Sequence, residues 1–203
     1  MTVAAIDWRQ RNILVADFEF TTFNGAYGRP RAFFPEIIEA GAVLLNPPGY
    51  EFTEPYQVFV KPRYFPKLTE ECRNITLIKQ QDVDGGISFE AMLTAIGQYY
   101  QPGVTFFAAW GNADRDVIQN ACLRYKLPCP FCWDDYIDLA EEYKSFYELE
   151  RRHSLKHALE ERQIVQKGLS HLALDDALNA AQVMLRMIEE GWIPGRSANA
   201  VNL

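Results

Sequence analysis

Four carboxylates and one imidazole stand out by position. Asp17 and Glu19 lie two residues apart at the end of the apolar run Ile13-Leu14-Val15-Ala16. On a strand that spacing turns both side chains to one face and Phe18 to the other. A second apolar run, Val104 to Trp110, leads through Gly111 to Asp114 at the start of a helical stretch. Late in the chain His171 precedes Asp176 by five residues, in His-Leu-Ala-Leu-Asp-Asp-Ala. Carboxylates that share an edge repel one another unless a cation lies between them. An imidazole on a segment containing Gly168 and Ser170 has the mobility to approach a water beside such a cation and take its proton. In this order the set implies metal-assisted hydrolysis of a phosphodiester.

Each piece alone has a plainer reading. A polar strand end, a helix N-cap and a loop histidine are ordinary, and Asp116 competes with Asp114. The last helix is more selective. Asp175, Asn179, Gln182, Arg186 and Glu189 recur at helical spacing as a solvent stripe, opposite Leu174, Ala177, Leu178, Ala181, Leu185 and Ile188. Asp176 lies among Ala173, Ala177 and Ala180, away from the wet stripe, where a lone carboxylate is costly. Asp175 reads as surface by the same test.

The elements that must position these groups follow from the pattern. Strands are expected over 13–18, 37–45, 56–60 and 104–110, with a loop over 21–35 carrying Asn-Gly, Tyr-Gly and two prolines. Short helices are expected near 69–73 and 80–84. Longer ones span 88–100 (capped by Ser88), 114–125, 138–152, 154–161 (capped by Ser154) and 172–190. A meander followed by helix, strand and helix is an α/β core with one mixed sheet. The expected organisation is a loose lead-in over 1–12, one domain over 13–191 and a flexible tail over 192–203.

The chain has 203 residues, 48% of them hydrophobic, enough for a full core. A net charge of -7 argues against a protein that wraps duplex DNA, although bound divalent ions reverse the local field of an acidic site. The apolar runs are too short to cross a membrane and no signal peptide is evident, so a soluble, cytoplasmic protein is expected. Cys129-Pro-Phe-Cys132 has half the spacing of a zinc site, but a second pair is missing and a structural role is favoured. A zinc-containing variant using Cys122, Cys129 and Cys132 is the minor alternative.

At this point the chain resembles a known family. Asp17-Phe18-Glu19-Phe20-Thr21, Pro35 to Val43, Trp110-Gly111-Asn112-Ala113-Asp114 and Gly168 to Ala177 resemble, in order, the motifs of the histidine-containing branch of the DEDD exonucleases. They are most similar to the group that includes KapD and the histone-mRNA 3′ exonucleases. A Leu-Thr-Gly-Ile stretch of that family appears as Asn74-Ile75-Thr76-Leu77-Ile78, with leucine in place of glycine. The resemblance implies a ribonuclease H-like fold, a five-stranded mixed sheet in order 3-2-1-4-5 flanked by helices, with residues 133–137 supplying the fifth strand. It favours Asp114 over Asp116 and also selects Asp176. It implies that Asp17, Glu19, Asp114 and Asp176 hold two Mg²⁺ or Mn²⁺ ions and that His171 is the general base. The expected activity is 3′-5′ removal of nucleoside 5′-monophosphates from 3′ ends of single-stranded RNA or short oligonucleotides, with DNA as the alternative. A nucleic-acid-binding protein that has lost catalysis on the same fold is the rival from another class.

Substrate contacts are less determined. Phe20, Thr21, Phe23, Tyr27 and Trp110 lie near the acidic motifs, and the aromatic ones could stack on bases or be core. Arg151, Arg152, Lys156, Arg162 and Lys167 lead toward His171 and either track a phosphate backbone or form the wet side of two helices.

Overall fold

A computed structural model describes residues 7–23, 29–53 and 55–194. Its centre is the strand β1 (Asn12–Phe20), whose alternate side chains enter two different cores. Ile13 and Val15 join one cluster with Val43, Phe106, Ala108 and Met184. Leu14, Ala16 and Phe18 join the other with Ala40, Phe107, Met92 and Ile118. A strand buried on both faces reads as a continuous apolar run, as this one does.

β2 (Ile37–Asn46) pairs antiparallel with β1 from Ile13↔Leu45 to Glu19↔Glu39, and the register slips between Glu19 and Phe20. That irregularity falls where the strand leaves the sheet beside the acidic pair, a common place for one. On the far side of β2, β3 (Glu51–Phe52) and β4 (Tyr56–Phe59) occupy successive stretches of its edge. The strand expected over 56–60 is β4, and β3 is an additional two-residue strand before it. Pro55, with no N–H to give to a ladder, stands just before β4. On the other side of β1, β5 (Thr105–Ala109) and β6 (Tyr136–Asp138) pair in parallel. The sheet runs β3-β2-β1-β5-β6, with β4 also on β2, so it has six strands in place of five. The expected path 3-2-1-4-5 holds. The last strand begins three residues later than expected because Trp133–Asp135 form a 3₁₀ turn first.

The helices are α1 (Glu70–Thr76), α2 (Gln80–Asp84), α3 (Phe89–Gly97), α4 (Ala113–Tyr125), α5 (Leu139–Phe146), α6 (Leu155–Glu161) and α7 (Ala173–Glu189). Ser88 and Ser154 cap α3 and α6 through their hydroxyls, as their positions suggest. The helix expected over 138–152 ends early. Glu148 adopts φ 53 and the Leu149 N–H reaches back to the Lys144 carbonyl, closing α5 after two turns. Leu77 ends α1 at φ 59, the left-handed conformation that a glycine enters freely, and is half exposed there. The loop with leucine in place of glycine thus keeps a glycine-like turn.

The described parts of the expected lead-in and tail pack against the domain. Trp8 stacks on Tyr50 with ring centroids 6.4 Å apart, and buried Arg11 pairs with Asp135, so the lead-in is tied down from residue 7. Trp192 is buried in the first core and its indole N–H donates to Glu142 at 2.8 Å, so residues 192–194 belong to the packed body. Residues 1–6 of the expected lead-in, residues 195–203 of the expected tail, and Tyr27 lie outside the described residues. Among the described residues no helix is long and apolar enough to cross a membrane.

Candidate active site

The two motif carboxylates of β1 sit on the same side as Ile13 and Val15, the side covered by α7. α7 lies unusually close to the sheet. A methyl group at Gly41 would come within 2.1 Å of the Leu174 amide and 2.2 Å of the Ala173 carbonyl carbon. Only a residue without Cβ lets the first turn of α7, which carries Asp176, settle on β2 beside β1.

Asp114 arrives from the opposite direction. β5 ends at Ala109, the chain turns through Gly111 at φ 107, and Asp114 is the second residue of α4. The parallel pairing of β1 with β5 stops at Val15↔Ala108. Asp114 takes over beyond it, its Oδ1 accepting from the Phe18 N–H at 3.0 Å. The carboxylate is thereby held between Asp17 and Glu19 in the chain. Asp116 is half exposed and pairs with its neighbour Arg115 at 3.1 Å, outside the cavity.

Asp17, Glu19, Asp114, Asp176 and His171 line one cavity of about 470 Å³, together with Phe20, Trp110, Ser154 and Lys156. The His171 backbone, at φ 65, donates its N–H to Asp176 Oδ2 at 2.8 Å. Its ring is more than half exposed, with Nδ1 4.0 Å from Glu19 Oε1, too long for a direct hydrogen bond.

The electrostatics of this cavity are those of a site built for a cation. Burial pushes the Asp17 carboxyl well above its usual range, and Asp114, Glu19, Asp176 and Glu39 add repulsion. Burial, then Asp176, Glu39 and Asp114, raises Glu19 to about 7. Burial also raises Asp114 to about 7, against the pull of the Phe18 N–H. Asp176 is raised by burial despite its bond from the His171 N–H. A carboxylate cluster offering oxygen donors, with its negative charge uncompensated, fits hard divalent cations.

The segment that carries His171 is anchored rather than loose. Asn179, expected on a solvent stripe, is fully buried, because loop 166–171 folds back over that face of α7. Its side chain accepts from the Lys167 N–H at 2.8 Å and donates to the Lys167 carbonyl at 2.9 Å. Asp175, expected as plain surface, lies beneath Gly168 and accepts from the Leu169 N–H at 2.9 Å. With Asp176 on His171, three side chains of α7 hold the backbone of 167, 169 and 171 in turn.

The sequence reading missed Glu39. It is fully buried beside Glu19 on β2. Its Oε2 accepts from the Ala173 N–H at 3.1 Å and its Oε1 from Gln57 at 2.6 Å. It therefore caps α7 at the end that bears Asp176. An acid inside the apolar run Ile37 to Leu45 was the available signal.

The expected substrate contacts divide. Phe20, Trp110 and Lys156 line the cavity. Thr21 and Phe23 line a separate hollow of about 310 Å³ with Phe33, Phe65 and Lys67. Thr21 is buried, its hydroxyl accepting from the Glu36 N–H at 3.0 Å, which is a fold contact. Arg151 lines a further hollow with His153 and His157. Lys167 turns away to Phe52, 5.4 Å from the ring centre. Arg152 pairs with Asp138 and Glu141, and Arg162 lies 4.1 Å over Tyr147. Within the fold, Arg152, Arg162 and Lys167 thus have acidic or aromatic neighbours, while Arg151 and Lys156 line hollows. Cys129 is hydrogen-bonded to Cys122 rather than matched with Cys132, and among the described residues no metal-type cluster contains a cysteine.

Comparison with known proteins agrees with this geometry. The exonuclease family matches residues 14–184. The probable 3′-5′ exonuclease KapD of Bacillus subtilis (strain 168) is 36% identical over 179 residues, covering 88% of this chain and 85% of that protein. Human 3′-5′ exoribonuclease 1 is 30% identical over 189 residues, which cover 88% of this chain and 53% of that protein. Among solved structures, the nuclease domain of 3′hExo, a DEDDh family member bound to rAMP, superposes with a TM-score of 0.80 at 28% identity, covering 91% of this chain and 95% of that one. The chain belongs to the exonuclease family, and within it to the metal-dependent DEDDh enzymes that work as 3′-5′ exonucleases.

Proposed function

We propose that the protein removes nucleoside 5′-monophosphates one at a time from the 3′ end of single-stranded RNA. The observation that carries this reading is the meeting of four carboxylates and one imidazole in a single cavity. Asp17, Glu19, Asp114 and Asp176 would hold two divalent ions, Mg²⁺ or Mn²⁺ by the oxygen-only donor set. When bound, those ions supply the charge that makes water nucleophilic and stabilises the leaving 3′ oxygen.

His171 accepts the proton of the attacking water at a ring nitrogen. Its backbone bond to Asp176 keeps that ring beside the carboxylates. The 4.0 Å gap to Glu19 leaves the imidazole without a direct bond to that carboxylate. Phe20 and Trp110 offer apolar walls on which a terminal base can lie, and Lys156 offers a cation for a phosphate. RNA is favoured because 3′hExo is bound to rAMP and a relative is named an exoribonuclease.

A 5′-labelled oligonucleotide incubated with Mg²⁺ or Mn²⁺ is expected to give a descending ladder that EDTA abolishes, faster with RNA than with DNA. A faster ladder on DNA would transfer the assignment to DNA. Tight binding with no shortening of either would favour the protein that has lost catalysis.

A further inference from the structure

A second group of metal-type side chains lies outside the carboxylate cavity. His153 stands just before the Ser154 cap of α6, and His157 and Glu161 lie one turn apart on that helix. One ligand atom from each of the three falls within 4.8 Å of the others. His153 Nδ1 is 3.0 Å from Glu161 Oε2, and His157 Nε2 is 3.8 Å from Glu161 Oε1. Ligands about 2.0–2.1 Å from a tetrahedral ion are roughly 3.3 Å apart, so small side-chain adjustments close this set on a metal. The rings of His153 and His157 meet at a steep 78°, centroids 4.5 Å apart.

We propose that His153, His157 and Glu161 form a site for one borderline-soft divalent ion of the zinc class, distinct from the carboxylate cage. Two imidazoles and a carboxylate suit such an ion, whereas oxygen-only cages suit Mg²⁺ or Mn²⁺. The surroundings are those of a supported site. The Tyr143 hydroxyl donates to Glu161 Oε2 at 2.8 Å and so orients the carboxylate, as the outer partners of metal ligands do. A hollow of about 330 Å³, lined by Arg151, His153, Ser154 and His157, leaves the position open to solvent for entry and for a water as fourth ligand.

The position has a consequence for catalysis. Ser154, Leu155 and Lys156, between the first two ligands, form one wall of the carboxylate cavity. The His153 carbonyl accepts from the Trp110 indole at 3.2 Å, and Trp110 is another part of that wall. A metal across His153, His157 and Glu161 would tie the His153 end of this wall, with its Trp110 contact, to the body of α6.

The test uses the full chain carrying Asp17→Asn, Glu19→Gln and Asp114→Asn, so that both the carboxylate cage and the Glu19–His171–Asp176 group are disabled and nuclease activity is not the readout. Titration with Co²⁺ and with Zn²⁺ is expected to show one equivalent, with Co²⁺ giving the intense visible absorption of a four- or five-coordinate histidine site. Adding His157→Ala, at an exposed position, is expected to abolish that absorption while the metal-free melting temperature stays within a few degrees. Tyr143→Phe is expected to weaken affinity about 10- to 100-fold. No uptake by the cage-disabled protein would overturn the proposal. Uptake that survives His153→Ala with His157→Ala would overturn it as well, by placing the ion elsewhere.

Discussion

The cavity is made of two halves that are built differently. Asp17, Glu19 and Asp114 stand on β1 and α4, Asp114 buried and the other two partly so, with Asp114 fixed by a backbone N–H of the central strand. His171 stands on an exposed loop with positive φ, and its place is set by the side chains of Asp175, Asp176 and Asn179 reaching up from α7. Groups that hold a cation gain from burial, because a low dielectric strengthens their grip on it. A group that takes up a proton and releases it to water gains from exposure. The cost of the first half appears when no cation is bound, as repulsion among buried carboxylates. The vulnerability of the second lies in a few hydrogen bonds to a loop.

The largest effects are expected from the buried half. Asp17→Asn or Asp114→Asn should lower turnover by more than about 10⁴-fold, beyond the usual worth of a general base. The same changes should stabilise the metal-free protein. In the unfolded chain these acids ionise near pH 4, whereas in the fold Glu19 and Asp114 do so at about 7. Between those values the folded state holds more protons, so stability falls as pH rises through that window, and the penalty is full above it. Removing one charge should therefore raise the melting temperature at pH 8 in EDTA, by about 2–4 °C per kcal/mol relieved, and do little at pH 4. A fall at pH 8 would show that these carboxylates are satisfied without a cation.

How legible each half was in the sequence follows from the same contrast. The Asp17 and Glu19 part was readable because strand alternation fixes a face, whereas Asp114 was separated from Asp116 only by the resemblance to the exonuclease family. The apolar runs located the strands, and their order came from the resemblance to the exonuclease family. Helical periodicity placed Asp176 correctly and Asn179 wrongly. Period alone tells which residues share a face, and cannot tell that a loop from 166 to 171 will fold back and cover it. Glu39 was overlooked for a related reason, since its role is a contact with the Ala173 amide 134 residues away. The additional short strand β3 and the short α5 depend on local backbone events, before Pro55 and at Glu148, that add or shift boundaries without altering the order.

Next in size is His171→Ala, expected to cost about 10²–10⁴ in kcat while leaving metal affinity by calorimetry unchanged. The two halves would merge if affinity fell in step, because ligand atoms of Glu19, His171 and Asp176 lie within 4.8 Å of one another and a metal-ligand role for His171 is the specific rival.

Asn179→Ala should act on the loop alone. It strands the Lys167 N–H and carbonyl, at about 1–3 kcal/mol of stability. The displaced base should lower kcat by roughly ten- to a hundredfold with KM and metal affinity little changed. Equal losses in metal affinity would mean that the loop also shapes the carboxylate cage.

Proton release should distinguish the halves without mutation. Because Glu19 and Asp114 titrate at about 7, loading the site with Mn²⁺ at pH 7 should expel on the order of one proton, falling toward zero by pH 9. Calorimetry in two buffers of different ionisation enthalpy measures this directly. A release that is unchanged in His171→Ala assigns it to the buried carboxylates.

The smallest effect tests the anchoring of the loop at its weakest tie. Asp175 accepts from the Leu169 N–H at 2.9 Å and lies beneath Gly168, so close that a Cβ there would fall 1.9 Å from its carboxylate. Asparagine keeps an oxygen in that place and the same volume. Asp175→Asn should therefore leave kcat within about twofold and stability within about 0.5 kcal/mol, as for a change that loses no contact. Asp175→Ala removes the acceptor and should cost about 1 kcal/mol, with a smaller fall in kcat than Asn179→Ala, because one loop amide is released instead of two groups. If Asp175→Asn abolished activity while Asp176→Asn spared it, the catalytic carboxylate of α7 would be Asp175, and the face of that helix turned to the cavity would have been misassigned.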